Sequence, residues 1–327
     1  MVVVFLLLKI HINYCKIYID MIYCFLCLEV SITPKKRLLL IVNPRAGKMK
    51  VKKAYTEIIS LYKEHGFLVS VAATKSRGHA TKIVKKKGKK YDVVVCCGGD
   101  GTLNEVLSGL AVLHNPPKLG YIPCGSTNDF AAGLKLPKNM LDAARKVIHG
   151  KLYSIDLGKF KDKYFAYIAS FGAFTEVSYA TPQDAKNMWG HLAYIFEGIK
   201  DIPNIRPQHA KIIADGKEYE DDYIFCSVSN AMSIGGILKI DPKIIKLDDG
   251  LFEVMLIKAP SNGAEMQRII GCLLSRHFDD SMITFIHAAN VEVYSDNNIS
   301  WSLDGEYADG GKTAVISNLN KAIKIYR

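Results

Sequence analysis

Three glycines around an aspartate, Gly98, Gly99, Asp100 and Gly101, followed by Thr102, stand after an apolar run and before a helical pattern. Where a strand feeds a helix through such a turn, the first backbone N–H groups lack partners and the helix dipole favours an anion. Glycines there permit φ > 0 and let an anion approach the backbone, while Thr102 can cap the helix or touch an anion oxygen. Phosphate is the natural guest. A plain strand-to-helix turn needs only one or two glycines and is the weaker reading. The spacing matches neither GxGxxG nor GxxxxGK[ST], so neither of those mechanisms transfers.

A second polar turn, Gly125, Ser126, Thr127, Asn128, Asp129, follows the apolar run 118–123. Alone, it reads equally well as a helix start capped by Thr127 or Asn128. A third loop, Asn43, Pro44, Arg45, Ala46, Gly47, Lys48, follows the run 38–42. Three such loops at strand C-termini line one crevice, which favours a nucleotide site over three unrelated turns. Asp249-Gly250 and Asp304-Gly305 are carboxylates in strong turn signals. Taken singly, Asp100 reads as a turn residue, Asp129 as a helix cap and Asp156 as a strand-end salt bridge. None of the nine histidines has HExxH spacing and no GxSxG elbow occurs.

The elements that must position these residues alternate. Val51, Ala54, Tyr55, Ile58, Ile59 and Tyr62 recur at helical spacing and Gly66 stops the helix. A strand over 67–74, a short basic helix from about His79, a β-branched run over 91–97 and a helix carrying Leu103, Val106, Leu107 and Leu110 follow. Such β/α alternation with uniformly apolar strands predicts a parallel sheet covered on both faces. After Gly150 closely spaced strands predict antiparallel β, with a hairpin at Asp215-Gly216 and helices near 184–200 and 264–276.

The 327 residues are 49% hydrophobic, enough for two domains without disulfide staples. Lys plus Arg exceed Asp plus Glu by 43 to 32, a net charge of +11 that favours an anionic partner. No RNP-type aromatics, C2H2 spacing or basic helix with heptads accompany that charge, so no nucleic-acid partner is expected. The eight cysteines include no paired CxxC spacing, which fits a reducing cytoplasm. Lys85, Lys86, Lys87, Lys89 and Lys90 read as a solvated face. The apolar runs within residues 1–36 fall short of the roughly 20 residues that cross a bilayer and lack the form of a secretory signal. Three readings remain, an interfacial anchor, an extra segment packed on the domain, or upstream sequence translated from a misplaced start; the last is favoured, and a chain beginning near Ser31 is expected to keep full activity.

From Arg37 to the C-terminus the chain resembles the bacterial diacylglycerol kinase catalytic-domain family, which is related to sphingosine kinases and more distantly to NAD kinases. The resemblance rests on NPRAGK at 43–48, GGDGTLNE at 98–105, GSTNDFA at 125–131, DLG at 156–158, DDGLFEV at 248–254 and LDGE at 303–306, in the family's order. It implies an α/β fold, with an N-terminal α/β nucleotide-binding domain (37–150) followed by a β-sandwich C-terminal domain (151–327), the last strands returning to the first. ATP would be bound by Asn43, Pro44, Arg45, Ala46, Gly47, Thr74, Gly98, Gly99, Asp100, Gly101, Thr102, Leu103, Asn104, Thr127 and Asn128. Asp100, Asp129 and Asp156 would form the acidic set that works with magnesium (Mg²⁺). A second cation would take the Asp249 carboxylate and the carbonyls of Lys246 and Leu251. Upstream of that site the family usually shows a run of glycines, whereas here Ile237 follows Gly235 and Gly236.

By the same resemblance Asp304 and Glu306 form the catalytic acidic pair, with Asp304 the general base. The implied reaction moves the ATP γ-phosphate to the hydroxyl of a membrane lipid, diacylglycerol giving phosphatidic acid. It would run on a cytoplasmic protein, peripheral at the inner membrane surface and expected as a homodimer. Alternatives are another lipid alcohol (sphingoid-like, phosphatidylglycerol or prenol), NAD, or a non-catalytic nucleotide-binding module. GSTND and LDGE together oppose NAD. Retention of Asp304, Glu306 and Asp249 opposes a decayed module, since acidic groups held close without a cation are costly.

Overall fold

The computed structural model describes residues 35–46, 50–126, 128–173, 206–231, 233–234, 238–239, 246–275, 278 and 281–327. The apolar runs before residue 35, Gly47, Lys48, Thr127, the expected helix over 184–200 and the Gly235-Gly236-Ile237 segment lie outside the described residues.

The first half builds the parallel sheet its pattern predicts. Strands β1 (Arg37–Val42), β2 (Leu68–Ala73), β3 (Val93–Gly98) and β4 (Lys118–Pro123) run in the order β2-β1-β3-β4. Helices α1 (Lys50–Glu64), α2 (His79–Lys87) and α3 (Asp100–Leu110) connect them. Every residue of β3 is buried, because each face of the sheet carries helices. Val94 and Cys96 pack with Val84 of α2 and Leu103 and Leu107 of α3. Val93, Val95 and Cys97 pack on the other face with Ile58 and Tyr62 of α1. Each fully buried valine there contributes about 1.5–3 kcal/mol relative to exposure, which is why an uninterrupted apolar run suits a two-sided sheet.

A short helix α4 (Asp129–Gly133) and α5 (Met140–His149) lead into strands that pair mainly antiparallel. These are β5 (Leu152–Phe160), β6 (Lys163–Phe165), β7 (Ile168–Gly172), β8 (Gln208–Ala214) and β9 (Lys217–Ser229). After the small pair β10 (Ser233–Ile234) and β11 (Leu238–Lys239) come β12 (Phe252–Lys258), helix α6 (Gly263–Ser275), β13 (Ile283–Ala288), β14 (Asn290–Leu303) and β15 (Glu306–Tyr326). The β8–β9 hairpin turns through Asp215 (φ 44°) and Gly216 (φ 85°), as the Asp-Gly signal predicts. Its core centres on Trp301, whose ring lies 5.1 Å from Phe160 and 5.0 Å from Phe171.

The long strand β15 unites the molecule. It leaves the turn at Asp304-Gly305, runs antiparallel to β14 and β5, and ends parallel to β4, with Ile325 opposite Leu119. Among the described residues thirteen strands thereby share one sheet, and residues 37–327 make one compact unit. Among the described residues no helix is long and apolar enough to cross a membrane.

Candidate active site

Strands β1, β3 and β4 are parallel neighbours, so the loops that follow them meet at one edge of the sheet. Asn43 Nδ2 donates to Thr102 Oγ1 (2.9 Å), and Asn43 Oδ1 accepts from the Arg45 N–H (3.0 Å), which ties the first loop to the first turn of α3. The two glycine turns touch. A Cβ on Gly125 would lie 2.7 Å from the Gly99 Cα, and one on Gly98 2.6 Å from the Thr102 Cβ. None of Gly98, Gly99, Gly101 or Gly125 has positive φ. Close approach, not left-handed backbone, is therefore what requires glycine at Gly98, Gly99 and Gly125, which corrects the expectation from sequence. The left-handed residue is Asn128 (φ 55°). Its Oδ1 accepts from the Gly125 N–H (2.8 Å) and its Nδ2 donates to the Gly125 carbonyl (2.8 Å), so it closes the turn and does not cap α4.

A cavity of about 460 Å³ opens between these loops, within the range of small-molecule sites. Asn43, Arg45, Ala46, Thr74, Gly99, Asp100, Gly101 and Thr102 border it. Pro44, Gly98, Leu103, Asn104 and Asn128 do not; Leu103 is buried in the core behind. Two cations absent from the expected set also border it, Lys75 and Arg77. Glu105 fixes their loop: its Oε1 accepts from the Gly78 N–H (2.7 Å) and its Oε2 from the Ala80 N–H (2.9 Å), supplying partners at the start of α2. The only sequence signal was the basic segment that follows β2, at the same edge as Thr74.

The hairpin between β14 and β15 brings the second half of the chain to this cavity. The carboxylate of Glu306 pairs with the Arg77 guanidinium, and its Oε1 lies 3.6 Å from where a Gly101 Cβ would stand. Asp304 (φ 50°) and Gly305 (φ 83°) form the two-residue turn itself. The Asp304 carboxylate is buried and takes four donors: the N–H groups of Ala166 (2.6 Å), Tyr167 (3.0 Å) and Ile168 (3.1 Å), and Asn104 Nδ2 (2.7 Å). Burial pushes its pKa up to about 6 although all four bonds favour the charged form. Asn104 thus serves Asp304 and not the cavity.

Asp100 and Asp129 come together: Asp100 Oδ2 accepts from the Asp129 N–H (3.2 Å) and Oδ1 from the Phe130 N–H (3.4 Å). Burial raises the Asp100 pKa despite those bonds. Asp156 does not join this pair as the resemblance implied. Its oxygens accept from the Gly250 N–H (2.7 Å) and the Lys321 N–H (2.6 Å), so it braces the turn that carries Asp249. Asp249 Oδ1 accepts from the Leu251 N–H (3.1 Å). Among the described residues no three acidic, His or Cys side chains are grouped as metal ligands.

The chain matches known proteins over most of its length. The family profile described as diacylglycerol kinase catalytic domain matches residues 37–160, and that described as YegS C-terminal NAD kinase beta sandwich-like domain matches 169–326. A diacylglycerol kinase of Bacillus subtilis (strain 168) is 38% identical over 275 residues, 83% of this chain and 90% of the relative. One from Staphylococcus aureus (strain MRSA252) is 33% identical over 296 residues, 89% of this chain and 92% of the relative. The crystal structure of a diacylglycerol kinase from Bacillus anthracis strain Sterne superposes with a TM-score of 0.70 at 25% identity, covering 89% of this chain and 96% of that one. With its α/β first half, its sandwich-like second half and its ordered motifs, the chain belongs to the diacylglycerol kinase family.

Proposed function

We propose that the chain transfers the γ-phosphate of ATP to the free hydroxyl of diacylglycerol in a membrane, giving phosphatidic acid. The observation that carries this reading is the meeting of Glu306 with Gly101 and Arg77, which sets an acidic hairpin against a glycine-lined cavity of nucleotide size. The N–H groups at the start of α3 and the side chains of Asn43, Arg45 and Thr102 hold phosphate, while Lys75 and Arg77 offset its charge. Asp100 and Asp129 suit Mg²⁺, which takes one or two carboxylates together with substrate phosphates. When bound it would neutralise charge on the transferring group. The turn at Asp249, with the carbonyls of Lys246 and Leu251, is the proposed seat of a second cation.

Asp304 receives the proton of the lipid hydroxyl. Three of its four donors are fixed backbone N–H groups, so Asn104 is the partner that yields to the substrate. A second reading makes Glu306 the base, because its carboxylate is half exposed and already faces the phosphate turn. The division into a nucleotide part (37–150) and a lipid part (151–327) is supported by the two family profiles, which change over between residues 160 and 169. A lipid acceptor puts the enzyme on an anionic bilayer surface, where each exposed Lys of the 85–90 run adds about 1 kcal/mol of attraction.

The deciding experiment supplies purified protein with Mg²⁺, labelled ATP, and either diacylglycerol in mixed micelles, other lipid alcohols, or NAD. Label is expected in diacylglycerol. Label in no lipid would sink the proposal, and label in NAD alone would replace it.

A further inference from the structure

A second and much smaller cavity, about 30 Å³, is bordered by Asp129, Phe130, Leu134, Tyr167, Asn230 and Leu247. That is room for about two waters or one hydroxymethyl group, and too little for an acyl chain. It lies next to the nucleotide cavity, since Asp100 borders the one, Asp129 the other, and the Asp129 N–H donates to Asp100 Oδ2 at 3.2 Å. Tyr167 is pinned on both sides of its backbone: its N–H donates to Asp304 Oδ1 (3.0 Å) and its carbonyl accepts from the Asn230 N–H (2.9 Å). Asn230 is 4% exposed, and its Oδ1 has no hydrogen-bond partner among the described residues. Its Nδ2 donates to the Asp156 carbonyl (3.3 Å), which fixes the amide's orientation.

We propose that this small cavity receives the hydroxyl-bearing carbon of the acceptor, and that Tyr167 is the wall that determines which alcohols enter. The inference rests on the kinase reading above and deepens it. A hydroxyl needs one donor and one acceptor, and the Tyr167 phenol and Asn230 Oδ1 are chemically that pair as the alcohol enters; its single O–H then turns from Asn230 to Asp304 for transfer. Burial, with Asp304, Asp129, Asp100 and Glu306 around it, raises the phenol's pKa and keeps it a neutral donor. The neighbouring Asp304 is the proposed base, and transfer requires the alcohol oxygen roughly 3–3.5 Å from phosphorus, so the acceptor site must adjoin the nucleotide cavity, as this one does through the Asp129–Asp100 contact. A cavity of this size beside an aromatic ring accepts a primary CH₂–OH and excludes a hydroxyl on a carbon flanked by two ester arms.

The test compares 1,2-diacylglycerol, with its primary hydroxyl, and 1,3-diacylglycerol, with its secondary one, in mixed micelles with labelled ATP. Wild type is expected to prefer the 1,2 isomer. Tyr167→Ala should raise the 1,3 to 1,2 ratio of kcat/KM by about tenfold or more while the KM for ATP stays unchanged. Tyr167→Phe should keep the ratio and raise the KM for 1,2-diacylglycerol by about two- to tenfold, the loss of one neutral hydrogen bond. If Tyr167→Ala does not fold, Tyr167→Leu replaces it in the ratio measurement. A folded variant with the wild-type ratio overturns the inference and leaves the kinase standing, as does a KM for ATP that rises in parallel with that for lipid. Wild type that labels neither isomer overturns both.

Discussion

Arg77 and Glu306, separated by 229 positions in the chain, form an ion pair at the nucleotide cavity. One stands on the loop after β2 and the other on the first residue of β15, so the pair exists only because the last strand returns to the first sheet. With side chains 76% and 51% exposed, the pair contributes no more than about 1 kcal/mol to stability. On the proposed reading its value is positional: it holds a cation at the cavity where phosphate charge would develop.

Arg77→Ala is accordingly expected to leave the melting temperature nearly unchanged and to lower kcat/KM by about 10- to 100-fold, on the order of 1.4–2.7 kcal/mol of transition-state stabilisation. Steady-state kinetics in parallel with thermal melting checks this. Unaltered kinetics would take Arg77 out of phosphate handling.

Asp304 makes the acid limb of activity predictable. As the proposed general base it must be ionised, and burial pushes this carboxyl up to about 6, so kcat/KM should climb with pH through that value and level off above it. Asp304→Asn should cost about 10²–10⁴-fold and abolish the limb. If Glu306→Gln removes the limb while Asp304→Asn keeps it, the roles of the two carboxylates exchange.

Much of this was legible beforehand, for local reasons. A run such as Val93, Val94, Val95 has only one stable setting, a strand covered on both faces, and Asp215-Gly216 and Asp304-Gly305 are turns that demand two residues with positive φ. What was not legible depends on contacts between distant residues. Lys75 and Arg77 look like ordinary surface cations until the fold puts them on the cavity, where Glu306 of β15 meets Arg77. Asp156 has the residue type of a metal ligand, yet its lone pairs are used by N–H groups 94 and 165 positions away. Asn128, placed by motif in the nucleotide site, closes its own turn because that turn needs an αL residue whose side chain bonds back to Gly125.

The packing of the two glycine turns separates Gly125 from Gly101. A methyl group at Gly125 meets the Gly99 Cα at 2.7 Å, backbone against backbone, whereas one at Gly101 meets only Glu306 Oε1 at 3.6 Å, an ordinary contact. Gly125→Ala should cost about 1–3 kcal/mol of stability and weaken nucleotide binding, because the turns must part. Gly101→Ala should fold like wild type. Calorimetry with ATP on both variants distinguishes them, and equal melting temperatures would contradict the close approach.

Glu253 predicts a stability profile independent of catalysis. It sits on β12 opposite Ser229, 2% exposed, and its Oε2 has no partner among the described residues. Burial, followed by the nearby charges of Asp249 and Asp156, pushes its pKa up to about 8 from an ordinary 4.5. Between those values the folded protein keeps a proton that the unfolded chain has released, so stability falls as pH rises across the window and settles at a lower level above about 8. Asp304, also raised, acts in the same direction only up to about 6. Between about 6 and 8 Glu253 acts together with His209, whose pKa its hydrogen bond to Asp222 raises from an ordinary 6.5, so the Glu253 share is the part that its substitution removes. Glu253→Gln cannot ionise and should flatten that part of a melting-temperature series taken from pH 5 to 9. A variant that declines as steeply as wild type over that interval would assign the loss to another group.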